Sequence, residues 1–365
     1  MRQPVSERLP DFPWDHLAEA KATAQAHPDG VVDLSVGTPV DPTPDVVQQA
    51  LAAAADSPGY PATIGQAATR QAVVDWLERR FGVTGLGIDG VLPVTGSKEL
   101  IAHLPTQLGL GPGDLVVQPE LAYPTYEVGA VLAGCDVAVT DAPETLERTP
   151  ALVWVNSPAN PTGKILTAER LAEIVAWGRA NGAVVVVDEC YLECVWEGAA
   201  VSALHPSVCG GSFEGLLTVH SLSKRSNLAG YRCAFVAGDP ALVAEMLAVR
   251  KNLGLQMPDP QQHAMAVALG DDAHVAEQHA RYAARRDALR TALEAAGFRV
   301  DHSEGALYLW STKDEDCWDT VAWLAERGIL VAPGSFYGAA GSRHVRVAIT
   351  ATDERVAAAV ARLQG

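Results

Sequence analysis

The chain has 365 residues, 48% of them hydrophobic and 19% charged, with a net charge of −17 and a pI near 4.9. It is long enough for one large domain and a smaller one, and its acidity, with no concentrated basic stretch, argues against a nucleic acid or an anionic membrane surface as partner. Six cysteines (Cys135, Cys190, Cys194, Cys209, Cys233, Cys317) form no CxxC pair and read as reduced core thiols; no metal is expected. The amino terminus lacks the apolar stretch of a signal peptide and no run approaches the ~20 apolar residues of a membrane span, so a cytoplasmic address is expected.

In chain order, the first forty residues are broken by Pro10, Pro13, Pro28, Pro39, Pro42 and Pro44 and are expected to pack against the carboxy-terminal part. Apolar runs of strand length then alternate with longer amphipathic stretches. Val91 to Val94 precedes a helix from Ser97, and Leu115 to Val117 a helix near Tyr126. Further strands are expected at Cys135 to Thr140, Leu152 to Val155, Ala183 to Val187, Leu216 to Val219 and Cys233 to Ala237. Such alternation predicts an α/β fold: a doubly wound, mostly parallel sheet over residues 45–280. Asp271 to Ala296 reads as one long, alanine-rich helix. Short strands at Ala306 to Trp310 and Val345 to Ile349 follow, so residues 281–365 with 1–44 are expected to form a smaller α+β domain.

The ends of three strands carry chemistry. Asn156-Ser157-Pro158-Ala159-Asn160-Pro161-Thr162-Gly163 follows one run, Asp188-Glu189-Cys190-Tyr191 another, and His220-Ser221-Leu222-Ser223-Lys224 a third. An amide, a carboxylate with a phenol, and an amine are the groups that hold and use pyridoxal phosphate. Lys224, in a small-residue turn after a buried strand, supplies the amine, its alternative being a solvated surface lysine. Asp188 ends a run so apolar that its charge needs a partner, which a protonated ring nitrogen provides; a turn cap is the plainer alternative. Tyr191 and Asn160 can reach the ring hydroxyl, although a tyrosine there is often ordinary packing.

Thr95-Gly96-Ser97-Lys98-Glu99 opens a helix, so its free backbone N–H groups and dipole favour a phosphate, with Lys98 contributing mainly its N–H. Ser221 and Arg232 can complete that cup. Tyr123 is the candidate for stacking on a planar ring, with core packing as the rival. Arg346 is the candidate for a substrate α-carboxylate; an edge-strand arginine facing water is the alternative, and Arg343 the nearest competitor.

Asn-Pro-Thr-Gly, Asp-Glu-x-Tyr and Ser-x-Ser-Lys-x-x-x-x-x-Gly-x-Arg together resemble the class I/II, fold-type I pyridoxal-phosphate aminotransferases, over about Val31 to Arg362. The resemblance implies Lys224 as the Schiff-base lysine and Asp188 as the ring-nitrogen partner. It makes Tyr191 and Asn160 the hydroxyl ligands, Ser97, Lys98, Ser221 and Arg232 the phosphate cup, and Arg346 the carboxylate clamp. Tyr60, in Pro58-Gly59-Tyr60-Pro61, is similar to the family tyrosine that reaches the neighbouring subunit's phosphate, which implies a homodimer with shared sites. Within the family, Leu9 to Asp15, Val32 to Pro42 (with Gly37 as a substrate contact), Gly96 to Leu100 and Pro119 to Tyr126 are similar to actinobacterial succinyldiaminopimelate aminotransferases. One stretch departs: Gly65-Gln66-Ala67-Ala68-Thr69-Arg70 stands where relatives usually carry Thr-Pro and a leucine before the arginine. The activity implied is amino transfer between glutamate and N-succinyl-2-amino-6-oxopimelate, in diaminopimelate and lysine biosynthesis. The alternatives are an aspartate, aromatic or other broad-range aminotransferase, a carbon–sulfur lyase on the same cofactor, and, from another class, a non-catalytic ligand-sensing module.

Overall fold

The computed structural model describes residues 4–365. Its strands, in chain order, are β1 (Val32–Asp33), β2 (Val91–Thr95), β3 (Leu115–Gln118), β4 (Asp136–Val139), β5 (Leu152–Asn156), β6 (Val184–Asp188), β7 (Leu216–Ser221), β8 (Cys233–Gly238), β9 (Arg299–Asp301), β10 (Tyr308–Thr312), β11 (Ile329–Leu330), β12 (Ala332–Pro333) and β13 (Val345–Ala348). Seven of them form one sheet in the order β2-β8-β7-β6-β5-β3-β4. All neighbours in it are parallel except β8, which runs antiparallel to both β2 and β7. The expected doubly wound, mostly parallel sheet therefore forms, and each strand read from the sequence falls within a residue or two of its place.

Why the valine-rich runs become central strands follows from the pleat. Successive side chains point to opposite faces, and a sheet covered on both sides needs both sets apolar. Val153, Val155, Val185 and Val187 pack on one face against Val73, Trp76 and Leu77 of the helix Ala67–Phe81 and Ile174 and Val175 of the helix Ala168–Asn181. Leu152, Trp154 and Val186 pack on the other against Leu100 and Leu104 of the helix Ser97–Gln107, Tyr126 of the helix Thr125–Ala133 and Met246 of the helix Pro240–Leu253. Each such fully buried side chain contributes roughly 1.5–3 kcal/mol.

A second core gathers the rest. The antiparallel sheet β12-β13-β10-β9 and the parallel pair β1-β11 pack with the helix Ala273–Ala295, slightly shorter than the stretch read from the sequence. The proline-broken amino-terminal segment touches this core: Leu34 N–H donates to the Leu330 carbonyl at 2.7 Å, and Ala348 N–H to the Leu34 carbonyl at 2.9 Å. Arg285, on the long helix, holds Asp41 through two 2.7 Å bonds. Among the described residues no helix is long and apolar enough to cross a membrane.

Candidate active site

Strands β5, β6 and β7 run parallel, so their carboxyl ends lie along one edge of the sheet, with Asn156 in register with Asp188 and Asp188 with Val219. That edge is where ligands bind in open α/β sheets. Here it opens into a cavity of about 570 Å³ between the seven-stranded sheet and the second core. Lys224, Asp188, Tyr191 and Asn160 line it, as do Ser97, Lys98, Ser221 and Arg232. Tyr123, Gly37 and Arg346 line it as well. Tyr60 does not; it stands 97% exposed on the surface.

Lys224 lies in the one-turn helix Leu222–Arg225 directly after β7, and its Nζ donates to the Gly37 carbonyl. The amine thus spans from the large sheet to the amino-terminal segment. Asp188 is 5% exposed; one carboxylate oxygen accepts from the Tyr126 hydroxyl at 2.8 Å and the other from the Cys190 N–H at 3.1 Å. Both donors are neutral, so burial wins over them and pushes the carboxyl above its ordinary range. A buried acid in this state suits a cationic ring nitrogen. Tyr126 in turn stacks on Trp154 at 4.7 Å between ring centroids and is driven well above the ordinary phenol value by burial and then by the Asp188 charge.

Asn160 is held by a residue the sequence reading passed over. Asn156 ends β5; its Nδ2 donates to the Asp188 carbonyl at 2.8 Å and its Oδ1 accepts from Asn160 N–H at 2.7 Å, so one side chain ties the Pro-rich turn to β6. The Asn160 Oδ1 accepts from Arg346 Nη1 at 2.8 Å. Arg346 is not on a water-facing edge: it is 3% exposed, its other Nη donates to the Ser35 carbonyl at 2.7 Å, and its Nε has no partner. No carboxylate pairs with it among the described residues, which leaves a buried guanidinium suited to an incoming anion. Arg343 instead donates to the Asp314 carbonyl.

Ser97, Lys98, Ser221 and Arg232, the candidate anion cup, line one cavity together with Ser223. Ser97 and Lys98 occupy the first turn of their helix after Gly96, whose φ of 92° only glycine adopts readily. A Cβ on Gly96 would overlap the Arg232 guanidinium, so the missing side chain is the space in which that group sits. The Ser221 Oγ accepts from Ser223 N–H at 3.2 Å and bonds the Ser223 hydroxyl at 2.9 Å, bringing a second hydroxyl to the cup. The Lys98 ammonium lies 5.7 Å from the ring of Phe12, which lines the same cavity. Tyr123 packs edge-on against Tyr126 at 5.8 Å, and burial raises its phenol to about 12.

Tyr308, also unforeseen, completes the floor. Its hydroxyl is 2.8 Å from that of Tyr191, its ring lies 4.0 Å under the Arg346 guanidinium, and a Cβ on Gly37 would collide with its hydroxyl. A buried acid with neutral donors, an amine, a helix start beside an arginine and a tyrosine thus line one cavity, a set that fits pyridoxal phosphate. Asn156, Gly96 and Tyr308 could be read from sequence only as a strand end, a turn and a strand residue.

Comparison with known proteins places the chain. The family profile for aminotransferase class I and II matches residues 29–363. A probable aminotransferase of Mycobacterium tuberculosis is 62% identical over 360 residues, covering 98% of this chain and 86% of that protein. The 4-dedimethylamino-4-oxo-anhydrotetracycline transaminase OxyQ of Streptomyces rimosus is 59% identical over 356 residues, covering 97% and 99%. Among solved structures, the N-succinyldiaminopimelate aminotransferase of Mycobacterium tuberculosis superposes with a TM-score of 0.89 at 28% identity, covering 100% of this chain and 99% of that one. By profile, relatives and fold, the chain belongs to the class I and II aminotransferases, fold-type I transferases that depend on pyridoxal phosphate.

Proposed function

We propose that the enzyme moves an amino group reversibly between glutamate and N-succinyl-2-amino-6-oxopimelate, in two half-reactions with ping-pong kinetics. The observation that carries this reading is the buried Arg346, without a carboxylate partner among the described residues, in a cavity that Lys98 also lines. A substrate with one carboxylate at the reacting end and another far from it fits those two cations. The solved N-succinyldiaminopimelate aminotransferase with the same fold supports the choice of acceptor.

In this reading Lys224 would hold the cofactor, and its neutral amine would move the proton at the substrate α-carbon. When bound, the cofactor supplies a protonated ring that withdraws electrons from that carbon. Asp188 keeps the ring nitrogen protonated, Tyr191 and Asn160 donate to the ring hydroxyl, and Tyr123 covers the ring face. Ser97, Lys98 N–H, Ser221 and Arg232 hold the phosphate. Arg346, Asn160 and Gly37 orient the substrate carboxylate. The units 45–280 and 1–44 with 281–365 close over it, and Tyr60 completes the site of a second copy in a homodimer.

A second reading has its own observation. Phe12, 54% exposed, and Trp14 lie 5.7 Å apart and both line the cavity, an apolar wall suited to a bulky aromatic acceptor such as the one in the name of the transaminase OxyQ. Half-reactions decide between them. Glutamate should change the cofactor's absorbance, and the succinylated keto acid should reverse it while oxaloacetate and phenylpyruvate do not. Reversal by phenylpyruvate or a polycyclic ketone alone overturns the first reading.

A further inference from the structure

We propose that Tyr308 is a positioning residue for the reaction: its hydroxyl donates to the Tyr191 hydroxyl, and so strengthens Tyr191 as the donor to the cofactor's ring hydroxyl. The inference rests on the reading that Tyr191 faces that hydroxyl. Tyr308 belongs to β10, in the second core, whereas Tyr191 follows β6 of the large sheet, so this 2.8 Å bond, beside those of Arg346 to Asn160 and Lys224 to Gly37, joins the two units at the reacting centre. The phenol has little freedom to do anything else. It is 3% exposed, its ring is held against Arg346, and the Gly37 backbone closes on its oxygen.

The direction of the proton follows from the surrounding charges. Arg346 on β13 lies over the Tyr308 ring, Lys224 approaches from the helix after β7, and Cys190, Cys194, Tyr337 and Tyr123 are the other titratable groups facing the pair. Burial raises the Tyr308 phenol, but the nearby Arg346 and Lys224 charges act against it, and the phenol lies below its ordinary value. Tyr191 is raised well above its own, first by burial and then by Tyr308. At 2.8 Å either hydroxyl can donate; the Arg346 guanidinium, 4.0 Å over the Tyr308 ring, acidifies that phenol and makes it the donor in this proposal, so that Tyr191 gives its own proton onward. Hydrogen bonds in such a chain polarise one another in the same sense.

Stronger donation to the ring hydroxyl stabilises its anionic form and makes the group conjugated with it less basic. Removing the Tyr308 hydroxyl should therefore raise the pH at which the visible absorbance of the cofactor-loaded enzyme changes. Y308F keeps the ring, and with it the Arg346 contact, so the fold is preserved. Absorbance titration of wild type, Y308F, Y191F and Y191F/Y308F is the test. The midpoint should rise by about half to one pH unit in Y308F, by more in Y191F, and by no further amount in the double variant. An unmoved midpoint in Y308F, beside a shifted Y191F, overturns this proposal and leaves the Tyr191 reading standing. Additive shifts also overturn it, because the hydroxyl would then act by another route. An unmoved Y191F overturns the Tyr191 reading, and this proposal with it.

Discussion

Asp188 sits at the buried end of β6 with two hydrogen-bond donors, the Tyr126 hydroxyl and the Cys190 amide, and neither is charged. Burial raises its folded pKa above the ordinary 3.8. A carboxyl raised in this way favours the fold most when protonated, so its contribution is full below about pH 3.8 and is lost as pH rises through the raised folded value. At neutral pH the cofactor-free protein therefore bears the cost of a buried charge. D188N removes that cost and the function together. Cofactor-free D188N should melt above cofactor-free wild type at pH 7.5 by about 2 °C or more, and the gap should close below pH 4. The loaded variant should lose on the order of 100-fold in kcat. Calorimetry across pH with steady-state kinetics checks both; a D188N that melts lower at pH 7.5 contradicts the assignment of a net cost.

The segment β2 to the helix Ser97–Gln107 shows how a turn becomes an anion site. The helix start is legible because a strand-length apolar run stops at a glycine and a serine. The reason for that glycine is not, since it lies in Arg232, 136 positions away in the chain (232 − 96) and seated where a side chain would be. G96A meets two obstacles, the guanidinium and a φ of 92°. It should weaken cofactor binding about tenfold, ~1.4 kcal/mol, by displacing one two-pronged phosphate contact. Equilibrium dialysis of the cofactor checks this, and an unchanged dissociation constant would remove Arg232 from the cup. The turn Asn156 to Gly163 was legible in the same partial way. Its prolines and its place after β5 mark it, whereas the hold of Asn156 on Asn160 depends on β6 lying alongside. Tyr308 was silent for the same reason: in Leu307-Tyr308-Leu309-Trp310 it is one apolar strand residue among four until β10 is set beside the Tyr191 turn.

At the scale of the molecule, the exposed Tyr60 lies outside the cavity that the other candidates line, as the proposed shared-site dimer requires. K224A and Y60A should each be nearly inactive. Mixed and refolded together, they should regain a substantial fraction of wild-type activity, because a hybrid pair holds one site with both native residues; no recovery would place Tyr60 in its own chain's site or in none. The alternation of apolar and amphipathic runs determined the layered sheet without tertiary information, since periodicity alone selects strand or helix and a wholly apolar strand must be covered on both faces. The candidate set at the strand ends was legible as well, because an amine, an acid and an amide follow consecutive buried strands. Only the folded chain decided which neutral donors face Asp188, what Gly96 makes room for, and that a phenol from the second core meets Tyr191. Those contacts join residues far apart in the chain through geometry a few ångströms wide, and no local pattern of hydrophobicity or spacing encodes distances between strands that have yet to pack.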